Sequence, residues 1–138
     1  MVNRVDELGQ SAVALTDHGN LHGAIDFYQS AIKAGIKPII GVEGYVADGP
    51  RDERNPAKKT PFHLTLLAQN RAGYQNLLKL VTTAHLEGFY YRARMELDGQ
   101  AIFQPTIYIV PDEFSRKKAI EEGITSTIII PPFLPFFF

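Results

Sequence analysis

Residues 12–23, Ala-Val-Ala-Leu-Thr-Asp-His-Gly-Asn-Leu-His-Gly, constrain the fold of this chain more than any other stretch. An apolar, β-prone run ends in a polar turn that carries Asp17 and His18, and a helix-like pattern follows. Near-continuous apolar character suits a strand in a parallel sheet buried on both faces. In α/β proteins, ligands bind outside the carboxyl ends of parallel strands. A strand that delivers a carboxylate and an imidazole at that end reads as half of a metal site.

The rest of the chain is organised around that strand. Val2 to Gln10 predicts the last turns of a helix, with Val5 and Leu8 inward and Gly9 as the C-terminal cap. The strand itself is expected over 11–16. Leu21, Ala24, Ile25, Tyr28, Ala31 and Ile32 then recur at the spacing of an amphipathic helix, which Gly35 ends. Residues 38–46 read as the next strand, with Pro38 tolerated at its start where no ladder donor is needed. Residues 11 to 46 thus make one β-α-β unit, right-handed with parallel strands. Phe62 to Ala68 is a third strand. Asn70 caps a helix to about His85, with Tyr74, Leu77, Leu78 and Val81 on its inner face. Further on, Thr106 to Val110 suggests a strand, Asp112 to Glu122 a short helix and Ile124 to Ile130 another strand. The expected division is residues 1–95 as one unit and 96–138 as a separate tail. That tail is expected to hold one β-α-β unit and a disordered end rich in proline and phenylalanine, whose aromatic residues are an aggregation liability.

Composition excludes several classes. The 138 residues suit one domain or a piece of a larger one. Lys plus Arg is 14 against 15 for Asp plus Glu, which rules out a strongly basic nucleic-acid footprint over the whole chain. With no cysteine, neither a disulfide framework nor a thiolate zinc site can form. No basic-then-apolar leader opens the chain, and no run of about 18 apolar residues would span a bilayer. The expectation is a cytoplasmic protein without a membrane partner.

The chemistry-bearing residues lie at strand ends. Asp17 and His18 end the first strand, Glu43 lies near the end of the second, and His63 lies near the start of the third. Each signal is weak alone, because a Thr-Asp-His-Gly run also makes an ordinary hydrogen-bonded turn. Parallel strands side by side would bring them together. Imidazole and carboxylate without thiol suit zinc, manganese, iron or magnesium. Such ions lower the pKa of a bound water and act as a Lewis acid toward a phosphoryl oxygen, which points to phosphoester hydrolysis. His22 falls four residues after His18 and shares its face only if the helix starts early. His85, near a helix C-terminus, favours the dipole. The charged loop with Arg51, Asp52, Glu53, Arg54, Lys58 and Lys59 reads as solvated surface, with phosphate contact as the alternative. Residues 89–94, aromatic and basic together, read as an anchor at the helix end or as a nucleic-acid contact.

Five segments, in order and spacing, carry a resemblance: Ala14-Leu-Thr-Asp-His-Gly-Asn-Leu-His-Gly-Ala24, Gly35-Ile-Lys-Pro-Ile-Ile-Gly-Val-Glu43, His63-Leu-Thr-Leu-Leu-Ala68, Gly73-Tyr-Gln-Asn-Leu-Leu-Lys-Leu80 and Leu86-Glu-Gly-Phe-Tyr-Tyr91. Together they resemble the PHP (polymerase and histidinol phosphatase) domain of bacterial replicative DNA polymerase III alpha subunits. The resemblance implies a distorted (β/α)7 barrel with metal ions at the carboxyl ends of its strands. By motif it makes His18, Glu43 and His63 metal ligands, Glu43 a bridging one. Asp17 becomes a ligand or an orienting neighbour, and Asp17, His18 and Glu43 the catalytic candidates. It implies metal-dependent phosphatase or 3′–5′ exonuclease chemistry, or a scaffold role where metals are lost, with DNA and other replicase subunits as partners. A small phosphatase of the histidinol-phosphate type is a further alternative. The family's opening His-x-His strand and later Asp-x-His are not found in this sequence. A partial barrel, an incomplete site and self-association through an open sheet edge are therefore expected.

Overall fold

A computed structural model describes residues 1–96 and 107–110. Helix α1 (Val2–Glu7) leads into strand β1 (Ala12–His18), helix α2 (Ala24–Lys33) and strand β2 (Lys37–Val46). A loop with one 3-10 turn (Pro56–Lys58) precedes β3 (Phe62–Ala68) and α3 (Arg71–Leu86). Short strands β4 (Phe89–Tyr90), β5 (Arg92–Met95) and β6 (Ile107–Val110) complete the described elements. The sheet order is β4-β5-β2-β3-β6, with β1 also paired to β2. Of the tail expected over 96–138, Glu96 and β6, which falls within the strand expected over 106–110, are described; the stretches predicted over 112–130 lie outside the described residues.

β1 and β2 are parallel, as expected of a β-α-β unit, with His18 level with Glu43. β3 departs from the expected parallel order. It runs antiparallel to β2, with His63 opposite Tyr45. The cause lies in the connection. A parallel return needs a crossover, usually a helix, that carries the chain to the other end of the sheet. Residues 47–61 contain only the 3-10 turn, so the chain turns back at the end where β2 finished. β6 is antiparallel to β3 as well, so the sheet is mixed.

The pleat sorts the residues. Val42 and Val46 of β2 and Leu64 and Leu66 of β3 are buried with Leu77, Leu80 and Ala84 of α3 and Ala93 and Met95 of β5. Removing a leucine such as Leu66 or Leu77 from water is worth about 2 kcal/mol. A smaller cluster of Val5, Ala31 and Ile36 ties α1 and α2 to Val13 of β1. Both long helices thus cover the face that carries Val13 and Val42. Leu8, expected inward, is exposed, because α1 ends at Glu7 and only Val5 reaches the core. The expected apolar stripe of α2 also splits. Ala24, Phe27 and Ala31 are buried, whereas Ile25, Tyr28 and Ile32 are exposed. Two alanines let the helix lie close on the strands beside the buried Phe27, and Ile25, Tyr28 and Ile32 turn outward. Ile25 and Tyr28 line an open cleft of about 450 Å³ with Ile40 and Tyr74. On α3 the buried line is Gly73, Leu77, Leu80 and Ala84, with Leu78 exposed. Asn70 caps this helix as predicted, its side chain accepting from Gly73 N at 3.0 Å.

Candidate metal centre

Strand register places His18, Glu43 and His63 on the face opposite the helices. Alternate residues of a strand share a face, and paired residues of neighbouring strands share it too. Glu43 and Tyr45 therefore face away from Val42 and Val46, His18 faces with Glu43, and His63 faces with Tyr45. The antiparallel turn of β3 is what carries His63 to this rim. Had β3 run parallel, the start of the strand would lie at the far end of the sheet from Glu43.

The result is a compact donor set. Glu43 Oε1 accepts from His63 Nδ1 at 2.5 Å and lies 3.2 Å from His18 Nε2. One donor atom from each of the three residues lies within 4.8 Å of the others. The side chains of His18 and His63 are 62% and 48% exposed and that of Glu43 26%, so the cluster opens to solvent. Two imidazoles and one carboxylate are the protein ligands of open, catalytic zinc-type sites, in which a further position is left to water or substrate. The donor chemistry fits a borderline divalent cation.

Neighbouring groups hold this geometry. The Tyr45 ring stands edge-on to His63 at 5.0 Å between centroids and tilts toward His18 at 6.5 Å. Gly19, at φ +67°, turns the chain directly after His18, and a Cβ there would meet the Tyr45 ring at 2.9 Å. Gly19 N donates to Glu43 O at 2.9 Å, and Gly19 O contacts His85 Nε2 at 2.9 Å. His85 thus ties the end of α3 to the turn that carries His18. Asn20 closes that turn: its Nδ2 donates to His18 O at 2.8 Å and its Oδ1 accepts from His22 N at 2.9 Å.

Asp17 is not brought into the donor set. Next to His18 on an extended strand, it faces the helix side, where its Oδ2 accepts from Gly23 N at 2.9 Å at the start of α2. His22 is exposed and is not among the three donors. Beside the rim, Arg94 is buried to 2% exposure and donates to the backbone carbonyls of Gly88, Arg51 and Glu53 at 2.7–3.1 Å. It pins the charged loop to β5. Arg51 pairs in turn with Glu87 at 2.9 Å and Glu96 at 3.5 Å. Tyr45 was not among the residues singled out from sequence, and Arg94 was marked only as part of the aromatic and basic run 89–94. Alternation from Glu43 along β2 would have placed Tyr45 on the donor face, whereas nothing local separates Arg94 from Arg92.

A mixed α/β sheet that presents an open two-histidine, one-carboxylate cluster at its rim defines the class: α/β proteins with metal-binding donor chemistry at strand ends. Sequence comparison narrows it, for the chain belongs to the PHP domain family, whose family model matches residues 1–113. It is 50% identical over 100 residues to DNA polymerase III subunit alpha of Borreliella burgdorferi, covering 71% of this chain and 9% of that protein. It is 52% identical over 97 residues to that of Helicobacter pylori (69% of this chain, 8% of that protein). With the Thermus aquaticus subunit the identity is 52% over 88 residues (62% and 7%). The chain spans less than a tenth of the length of these curated relatives. Among the described residues, no helix is long and apolar enough to cross a membrane.

Proposed function

We propose that this chain contributes the PHP module of a replicative DNA polymerase, with His18, Glu43 and His63 holding a divalent cation for phosphoester chemistry. The observation that carries the reading is the convergence of those three donors at one rim, in a chain about half identical to polymerase subunits. A bound zinc, manganese, iron or magnesium ion would supply Lewis acidity and a lowered pKa for water. The protein's own part is to orient. Glu43 fixes both imidazoles, Tyr45 and Gly19 restrict His18, and Asp17 secures the start of α2 just beyond the turn. The donor face is the interior of a (β/α)7 barrel of which this sheet is one part. DNA and other replicase subunits are the partners, and the cytoplasm is the place of action.

Three donors, two of them half-exposed, make a weak site, so binding is single and loose and hydrolysis slow. Calorimetric titration with manganese tests this. The expected result is one weak binding event that disappears in Glu43→Ala and His18→Ala. Equal heat in both variants and the parent chain would remove the cluster from the reading, and tight, multi-site binding would overturn its weakness. A metal-poor scaffold role is favoured by the exposure of both imidazoles, and absence of any manganese heat would establish it.

A further inference from the structure

Arg92 and Arg94 lie two apart on β5 and so share a face, and Arg94 is level with Tyr45 of β2. Ala93 and Met95 occupy the helix-side core. Both arginines therefore belong to the face that carries His18, Glu43 and His63. Arg94 is spent on three backbone carbonyls. Arg92 is exposed, and no carboxylate among the described residues pairs with it. Its Cζ stands 5.7 Å from the centroid of the Tyr45 ring, the same ring that contacts both imidazoles. Arg51 is engaged with Glu87 and Glu96, Lys58 with Glu53, and Arg54 with the Phe89 carbonyl.

The backbone holds Arg92 in this place. Tyr90 pairs with Arg92 across a hairpin whose tip is Tyr91 alone. Tyr91 has φ 59°, a left-handed conformation uncommon outside glycine. The tight tip returns the chain to the sheet directly at Arg92, and the buried Arg94 anchors the strand behind it.

We propose that Arg92 is the anion-binding arm of the site. Its guanidinium, stacked on Tyr45, takes an oxyanion of a phosphoester whose phosphoryl group lies at the His18–Glu43–His63 cluster. The location of that phosphoryl group rests on the function proposed above. A planar guanidinium matches phosphate oxygens with two parallel N–H donors. Stacking on an aromatic ring restrains the long side chain before the ligand arrives. A cation here also offsets the repulsion between Glu43 and an incoming phosphate.

Inorganic phosphate is the probe, and nuclear magnetic resonance of the metal-free full chain is the readout. Phosphate is expected to shift the Arg92 Nε–H and Tyr45 ring resonances. Arg92→Gln weakens phosphate binding about tenfold, the size of one lost charged hydrogen bond. Arg92→Lys regains part of that, and the exposed loop variant Lys59→Gln stays within about twofold of the parent, as expected for a screened surface charge. An overlaid amide spectrum checks that each variant folds. Absence of shifts at Arg92 and Tyr45 overturns the proposal, as does an equal loss in Lys59→Gln, which would mark a diffuse field. Manganese calorimetry separates the two readings. Retained heat in Arg92→Gln is expected, and its loss would make Arg92 a support of the donor cluster and overturn its role toward anions. Phosphate shifts at Arg92 in a chain that gives no manganese heat would uphold the anion arm and refute the cation site.

Discussion

Val42 and Glu43 are neighbours on β2 and look to opposite sides of one sheet. Val42 has no exposed surface and packs among Leu64, Leu66 and Leu77. Glu43 keeps a quarter of its side chain in solvent and holds two imidazoles. The pleat therefore divides labour at single-residue spacing. The helix face buries apolar surface and supplies stability, whereas the donor face leaves polar groups accessible and supplies chemistry. If the division is real, substitutions on one face change unfolding free energy and substitutions on the other change ligand binding.

The largest expected effect lies on the helix face. Leu66→Ala should cost about 3 kcal/mol in urea unfolding, the usual result of emptying a closed leucine site. A loss below about 1 kcal/mol would mean that this face is not where stability resides. Arg94 tests the division from the other side, because it is a donor-face residue that is nevertheless buried. Arg94→Leu leaves the carbonyls of Arg51 and Glu53 without this donor, while Gly88 O keeps the backbone N–H of residue 94, at a cost of about 2 kcal/mol. Limited proteolysis should then cut the loop 47–61 first. An unchanged cleavage pattern would show that the loop does not depend on this guanidinium. Asp17→Ala is smaller, about 1 kcal/mol, because it removes the acceptor for Gly23 N at the start of α2. Manganese heat should survive it. If that heat vanishes while stability holds, Asp17 belongs with the donors and the comparison breaks at β1.

Local pattern carried much of the architecture and little of its direction. The apolar run from Phe62 to Ala68 was bounded by Pro61 and Gln69, and the structure places β3 on those same residues. Asn70 announced its helix because an Asn side chain satisfies a free N–H at a helix start. The direction of β3 had no such signal. A strand reads alike both ways, and only the lack of a crossover helix in residues 47–61 decides it. The buried side of α2 was misjudged for a related reason. Periodicity marks a stripe, but Ala24 and Ala31 win the contact because small residues permit close approach. Arg92 and Arg94 are indistinguishable in sequence. Their difference arises from three carbonyls that tertiary structure brings to one and not the other.

The smallest stability change is expected where the functional change is greatest. Glu43→Gln keeps the shape of the side chain and its carbonyl oxygen, so it can still accept from His63. The position is partly exposed, and the unfolding free energy should stay within about 0.5 kcal/mol of the parent, as is usual away from core and buried-polar sites. Cation binding depends on something the amide lacks. A neutral amide oxygen is a poorer donor to a divalent ion than a carboxylate, and it leaves no negative charge between the two imidazoles. Manganese heat should therefore be lost while the fold remains. A destabilised Glu43→Gln chain would mean that the hydrogen bond at 2.5 Å to His63 is structural, and the donor face would then share in stability. A stable variant that has lost the cation would place the two faces of β2 under separate control, one residue apart.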